Sequence, residues 1–417
     1  MGKAVRPRIA VLGAGPIGLE AALYARKLDL GVTVYERGRI GENLQRWGHV
    51  RLFSPFGMNS TPLGRAAIRS DRPRHEFPAD GDCTTGREHV RAYLEPLASS
   101  DSLKGCIVGE TTVLGIGRRG VFKTETPGDA RRGRHPFRLL VKDSKGRERG
   151  EEADVVLDCT GTYGYHRWLG DGGVPAVGEM ANEPQISYGV DDILGERLQH
   201  YAGKTVLVVG AGYSAATSVC NLAELSQKHP DTGVVWVARG AGSQPMRRLP
   251  QDPLRERDRL AMRANTLATR TDANVEFHPQ TVIANVESAG PDRGFRVAAL
   301  KAGLPLSWTV DRILANVGYT PNTDLYRELQ IHECYASLGP MKLAAALGGS
   351  ASADCLKQAS CGPDSLRNPE PNFFILGAKS YGRNSQFLLR VGFDQVREVF
   401  TLLTGQANLD LYQGATA

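Results

Sequence analysis

The chain has 417 residues, 41% hydrophobic and 23% charged, with seven cysteines and a formal net charge of +6. That length accommodates two or three domains, and the balance is that of a soluble globular protein, not a disordered one. No apolar run is long enough to cross a bilayer, and the positive surplus is spread over many arginines with no basic tail, so neither a membrane nor a nucleic acid partner is implied.

The N-terminal residues lead straight into a strand without a signal-peptide core, and the odd, scattered cysteines lack any CxxC or zinc-type spacing. A cytoplasmic location is the expectation. The strand Arg8-Ile-Ala-Val-Leu runs into Gly13-Ala-Gly15-Pro-Ile-Gly18, then a small-residue helix, then Val32-Thr-Val-Tyr-Glu36 and Arg37. Gly13 permits the tight turn, Gly15 removes a side chain that would block a pyrophosphate, and Gly18 lets the helix approach the strand. Phosphates are favoured at the helix N-terminus by its free N–H groups and dipole. Glu36, 23 residues after Gly13, is placed to accept from both ribose hydroxyls and repels a 2′-phosphate. The alternative is an ordinary tight turn in a buried βαβ unit.

Residues 41–62 are too irregular for a helix and too rich in Gly and Pro for a central strand. They form a loop-rich segment expected to run beside a bound ring, which makes Trp47 and His49 candidate contacts. The bland alternative places Trp47 and Phe53 in the core and leaves His49 a satisfied surface residue. Arg87 to Leu97 has helical spacing, and strands follow at Thr111 to Ile116, Phe137 to Val141 and Ala153 to Asp158. The last is largely apolar, suits a parallel strand buried on both faces, and ends in Cys159-Thr160-Gly161, where a ligand approaches an open α/β sheet.

A second fingerprint, Val209-Gly210-Ala-Gly212-Tyr-Ser214-Ala215, repeats the first with Ala215 replacing the third glycine. Its second strand, Val234 to Ala238, ends on Arg239, a cation where the first unit has an acid. Arg239, with Arg247 and Arg248 as neighbours, favours a 2′-phosphate and hence NADPH over NADH. Residues 250–267 read as a solvated amphipathic helix, followed by short strands at 275–277, 295–300 and 306–310. The strand Asp311 to Val317, ending at Gly318, is expected to return to the first sheet. Residues 344–369 read as a mobile surface loop rich in Gly, Ser and Ala. The last strand ends at Gly377, and Gly392 opens the final helix, whose N-terminus could face the electron-rich end of a flavin.

Both fingerprints, Asp158-Cys-Thr-Gly161, the Gly318 strand and the Gly377 strand, in this order, resemble the two-dinucleotide-binding-domain flavoproteins over nearly the whole chain. Within them the chain most resembles the flavin-containing monooxygenases. Gly210 to Ala215 is similar to their NADPH turn, and Phe53-Ser-Pro-Phe-Gly-Met-Asn59-Ser is similar to the segment that sets an asparagine beside the flavin. Asn59 is therefore the candidate catalytic residue, with a plain turn residue as the alternative.

The resemblance implies an α/β protein with two Rossmann-like domains and three layers around parallel central sheets. It implies an FAD domain over 1–180 and 306–417, an NADPH domain over 181–305, and no metal. It also implies FAD-dependent, NADPH-driven transfer of one oxygen atom from O2 to a nitrogen, sulfur or carbonyl group of a small molecule, through a flavin hydroperoxide. Two departures stand out. The family's Phe-x-Gly-x-x-x-His sequence is absent, with Ile186-Ser-Tyr188 near its place, and the Gly-Asp common in disulfide reductases is Gly377-Ala378.

A thiol-free NAD(P)H reductase and a non-catalytic redox sensor are the competing readings. Cys355 and Cys361, six residues apart, read as incidental. Substrate identity and oligomeric state stay open, with a homodimer among the options.

Overall fold

A computed structural model describes residues 6–270, 274–290, 293–349, 356 and 360–414. The chain divides into two compact units, Met1–Tyr165 with Thr320–Ala417, and His166–Tyr319.

The first unit contains, among the described residues, a five-stranded parallel sheet. Its spatial order is Phe373–Ile375, Val155–Asp158, Arg8–Leu12, Gly31–Tyr35, Ile107–Val108. Alternate residues serve opposite faces, as the two-residue period of a strand requires. Ile9, Val11, Leu157 and Phe374 pack with Leu19, Leu23, Val396 and Phe400 of the helices Pro16–Lys27 and Leu389–Thr404. Ala10, Leu12, Val156 and Phe373 pack instead with Ile116, Phe137 and Leu139 of an antiparallel sheet formed by Thr111–Arg118, Phe137–Asp143 and Glu148–Ala153. Both faces are therefore buried, which is why these strands read as continuous apolar runs. Phe137 and Phe373 are fully buried, each contributing roughly 1.5–3 kcal/mol.

The second unit repeats the plan. Its parallel sheet runs Val275–His278, Gly233–Val237, Thr205–Val209, Arg312–Ala315. The helices Tyr213–Lys228 and Arg255–Thr269 cover one face through Val206, Val208, Val234 and Trp236. The antiparallel strands Thr281–Ser288, Phe295–Lys301 and Leu304–Val310 cover the other through Leu207, Val209, Val235 and Val237. Each unit is thus three-layered around a parallel central sheet, as the sequence suggested.

Several expectations need correction. Arg312–Ala315 does not return to the first sheet: it pairs in parallel with Val206–Val209, so the second unit extends to Tyr319, past residue 305. Residues 344–369 are not a continuous loop. Met341–Gly349 is helical because Leu343 and Leu347, one turn apart, both pack on the first core, and Pro363–Leu366 is a short 3-10 turn with Leu366 buried. Cys355 lies outside the described residues. The amphipathic helix expected at 250–267 is present and starts later, as Arg255–Thr269, with Arg255, Arg259 and Arg263 exposed, Ala261 and Ala264 in the second core, and Arg257 buried and bonded to Asp252 at 2.7 Å.

Candidate dinucleotide sites

In the first unit the three glycines meet three different steric demands. Gly13 adopts φ +94°, and a Cβ there would lie 3.0 Å from the carbonyl oxygen of Cys159. A Cβ on Gly18 would lie 1.8 Å from the carbonyl oxygen of Gly13, so only glycine allows the helix to sit this close. At Gly15, the N-cap of Pro16–Lys27, a Cβ would meet nothing within 4 Å. The first and third glycines are thus required by the fold, and the second opens a cradle at a helix N-terminus, the geometry a pyrophosphate needs.

Glu36 is buried at the end of the second strand and accepts from the N–H groups of Ala14 (2.7 Å) and Gly38 (2.8 Å). Each carboxylate oxygen keeps a further lone pair for a hydroxyl donor. Arg37 is exposed and leans toward the segment after Gly161, its Nη2 3.2 Å from where a Cβ on Gly164 would stand. Gly161 adopts φ +70°. Thr160 donates its N–H and hydroxyl to Asp158 Oδ1, at 3.1 and 2.7 Å.

Gly377, at φ +70°, and Gly392 both abut Ile17 in the first helical turn: a Cβ would approach Ile17 side-chain carbons at 3.1 and 2.4 Å respectively. Gln395 accepts from the Gly377 N–H at 2.8 Å and fixes that turn to the last helix. That helix begins at Leu389, so Gly392 lies inside its first turn instead of opening it. The Gly13 turn, the Gly377 turn and the start of the final helix therefore converge around one side chain.

Asn59 is fully buried. Its amide donates to the Ser54 carbonyl at 2.8 Å and accepts from the Ser54 hydroxyl at 2.7 Å, so it clamps its own turn. Trp47 and His49 lie in the turn after the short helix Glu42–Arg46, and Trp47 packs against Tyr163 with ring centroids 6.1 Å apart.

Sequence reasoning missed a buried ion pair beneath this site. Lys379 Nζ lies 2.6 Å from Asp158 Oδ2 and 3.1 Å from Thr160 Oγ1, with both charged side chains fully buried. It ties the Gly377 turn to the Asp158-Cys-Thr-Gly161 turn. The sequence signal was there, in a lysine standing where a buried turn follows the last strand, but its partner is 221 residues away.

The second unit reproduces the first turn. Gly210 adopts φ +137°, and a Cβ there would lie 2.3 Å from the carbonyl oxygen of Asn316; Gly212 is open, with nothing within 4 Å. Ala215 is fully buried where the third glycine would stand, and Ser214 is half-buried in the first helical turn. The Trp236 indole donates to the Gly210 carbonyl at 2.8 Å, and Asn316 bonds Ser218 and Gly189. Among the described residues, Arg239 and Arg247 are exposed and make no ion pair. Arg248, also exposed, pairs instead with Asp258 at 2.8 and 2.9 Å.

Among the described residues six cysteines stand as free thiols. Burial and the neighbouring Asp158 push the Cys159 thiol well up, and burial raises Cys106, Cys220 and Cys361. No described helix is long and apolar enough to span a membrane, and no described acid, His or Cys cluster could hold a metal.

No family model and no curated protein matches the sequence. Solved structures do match. Bacillithiol disulfide reductase Bdr (YpdA) of Bacillus cereus aligns over 96% of this chain and 99% of its own, with TM-score 0.67 and 14% identity. The ornithine N-hydroxylase of Kutzneria sp. 744, with reduced FAD, NADP+ and L-ornithine, aligns over 96% and 100%, with TM-score 0.60 and 15% identity. The L-lysine 6-monooxygenase of Pseudomonas syringae aligns over 96% and 99%, with TM-score 0.60 and 17% identity. The chain has the fold of the two-dinucleotide-binding-domain flavoproteins.

Proposed function

We propose that the chain is an FAD-dependent, NADPH-driven oxidoreductase of the monooxygenase type, which places one oxygen atom from O2 on a small-molecule substrate. The observation that carries the reading is the pair of open glycine turns with opposite charges at their strand ends. Gly15 and Gly212 each leave a cradle at a helix N-terminus, the first beside buried Glu36 and the second in the unit where Arg239 and Arg247 are free. Glu36 suits an unphosphorylated ribose and so FAD; the two arginines suit a 2′-phosphate and so NADPH. Flavin, when bound, accepts hydride from the nicotinamide and activates oxygen.

The chain's own residues do the rest. Gly13, Gly15 and Gly18 hold the FAD pyrophosphate at the first helix. Thr160, Gly161, Gly377 and Gly392 shape its surroundings, with Arg37, Trp47 and His49 along its length. Gly210, Gly212, Ser214 and Ala215 hold the second pyrophosphate. Asn59 is a positioning residue, keeping its buried turn in one conformation through its two bonds to Ser54. Nitrogen oxygenation is favoured among the possible outcomes because two of the similar structures are an ornithine N-hydroxylase and a lysine 6-monooxygenase.

The second reading, a thiol-free reductase, is favoured by the likeness to a disulfide reductase. The absence of any CxxC argues against dithiol exchange. Oxygen uptake by the FAD-loaded protein, driven by NADPH with a panel of primary amines, separates the readings. Uptake stimulated by one amine without matching peroxide release supports the monooxygenase. Uptake that always appears as peroxide, together with rapid NADPH-driven reduction of added electron acceptors, supports the reductase.

A further inference from the structure

Two buried polar atoms beside the first glycine turn have no hydrogen-bond partner: Oδ1 of Asn43 and the indole Nε1 of Trp47. A buried polar group left unpaired is costly, so its presence in an otherwise bonded turn calls for a ligand that completes it. Both belong to a segment suspended from the turn itself. Gly41, at φ +62°, donates its N–H to the Ala14 carbonyl at 3.0 Å and starts the short helix Glu42–Arg46. Asn43 and Trp47 are four residues apart and project from the same side.

Their surroundings point the same way. The Asn43 amide nitrogen is 3.8 Å from where a Cβ on Gly161 would stand, and Trp47 packs near Tyr163, so both border the segment after Val155–Asp158. A Cβ on Gly86 would lie 3.0 and 3.1 Å from Cζ3 and Cε3 of Trp47. Those atoms lie on the edge of the indole opposite Nε1, so the N–H edge faces away from Gly86.

Resting on the reading of this unit as the FAD site, we infer that Asn43 and Trp47 are the subsite for the cyclic-imide edge of the isoalloxazine ring. The indole N–H donates to a ring carbonyl and Asn43 Oδ1 accepts the imide N–H. That edge alternates acceptor, donor, acceptor, and matches one donor beside one acceptor. The ADP half of the cofactor is served by Gly15 and Glu36 and does not depend on this pair.

The test is calorimetric titration of the full chain, stripped of nucleotide, with FAD and separately with ADP. Trp47→Phe keeps an aromatic ring, though a smaller one, and deletes the donor; Asn43→Leu keeps the approximate volume and deletes the acceptor. Each is expected to weaken FAD about tenfold while leaving ADP unchanged, which also reports that the turn is folded. Equal loss of FAD and ADP, or no change in either, overturns the assignment. A wild-type chain that binds neither nucleotide would instead sink the flavoprotein reading beneath it.

Discussion

Replacing Lys379 by methionine removes the cation from a fully buried pair while keeping most of the side-chain volume. Asp158 then loses its 2.6 Å donor, and Thr160 Oγ1 its contact at 3.1 Å. Asp158 Oδ1 keeps the two donors of Thr160, but the charge has no counter-ion and no access to water. Breaking a buried pair from one side costs roughly 3–5 kcal/mol. At about 2–4 °C per kcal/mol for a unit of this size, the expected fall in Tm is on the order of 6–12 °C at the lower end of that cost. The double variant Lys379→Met with Asp158→Asn removes the stranded charge and leaves a carbonyl oxygen for Thr160. It is expected to recover most of the loss, because a buried ion pair and a neutral replacement often differ little in stability. Thermal unfolding of the single and double variants, followed by circular dichroism, measures both. A single variant within about 2 °C of wild type, or a double variant no better than the single, would refute the reasoning.

The other predictions use the same structure. Gly18→Ala drives a Cβ to 1.8 Å from the Gly13 carbonyl oxygen and should cost about 3 kcal/mol or more, visible as lost soluble protein. Gly15→Ala meets nothing and should leave Tm nearly unchanged while weakening FAD at least about tenfold; equal stability losses for the two would contradict the assigned roles. Arg239→Ser should lower kcat/KM for NADPH about 10- to 100-fold and leave NADH unaffected, whereas parallel losses would show that Arg239 does not read the phosphate. Burial raises the Glu20 carboxyl to about 7, opposed by its bond to Thr61. Because the folded value is the higher, this group's stability contribution is complete below about pH 4.5 and is lost as pH rises through about 7. Glu20→Gln should therefore unfold later than wild type at pH 8, by up to about 3 kcal/mol, and show no such gain at pH 4.5; a pH-independent difference would exclude the titration of Glu20 as its cause.

The glycine turns were legible because each glycine answers a separate local demand, and those demands recur at fixed spacing. The layers were legible because strands buried on both faces read as unbroken apolar runs. Sheet membership was not: Arg312–Ala315 has the composition of a strand in either parallel sheet, and only its register with Val206–Val209 decides. Weighting Gly and Ser in 344–369 hid the Leu343 and Leu347 pair that makes Met341–Gly349 a helix. Arg239, Arg247 and Arg248 look alike as residues, yet Asp258 claims Arg248 alone. The same limit concealed Lys379, whose meaning depends on a carboxylate at the end of a strand far away in the chain. Asn43 gave no sequence signal at all, since an asparagine in a short polar helix is ordinary until its unpaired buried oxygen is seen.

The central claim is that oxygen from O2 reaches a substrate. Turnover of the FAD-loaded protein with NADPH and isotopically labelled O2, across a panel of amines and sulfides, tests it directly by mass spectrometry of the products. One labelled oxygen atom in an organic product is the predicted result. Label recovered only in peroxide and water, with no oxygenated product while NADPH is consumed, would contradict the monooxygenase and leave a reductase.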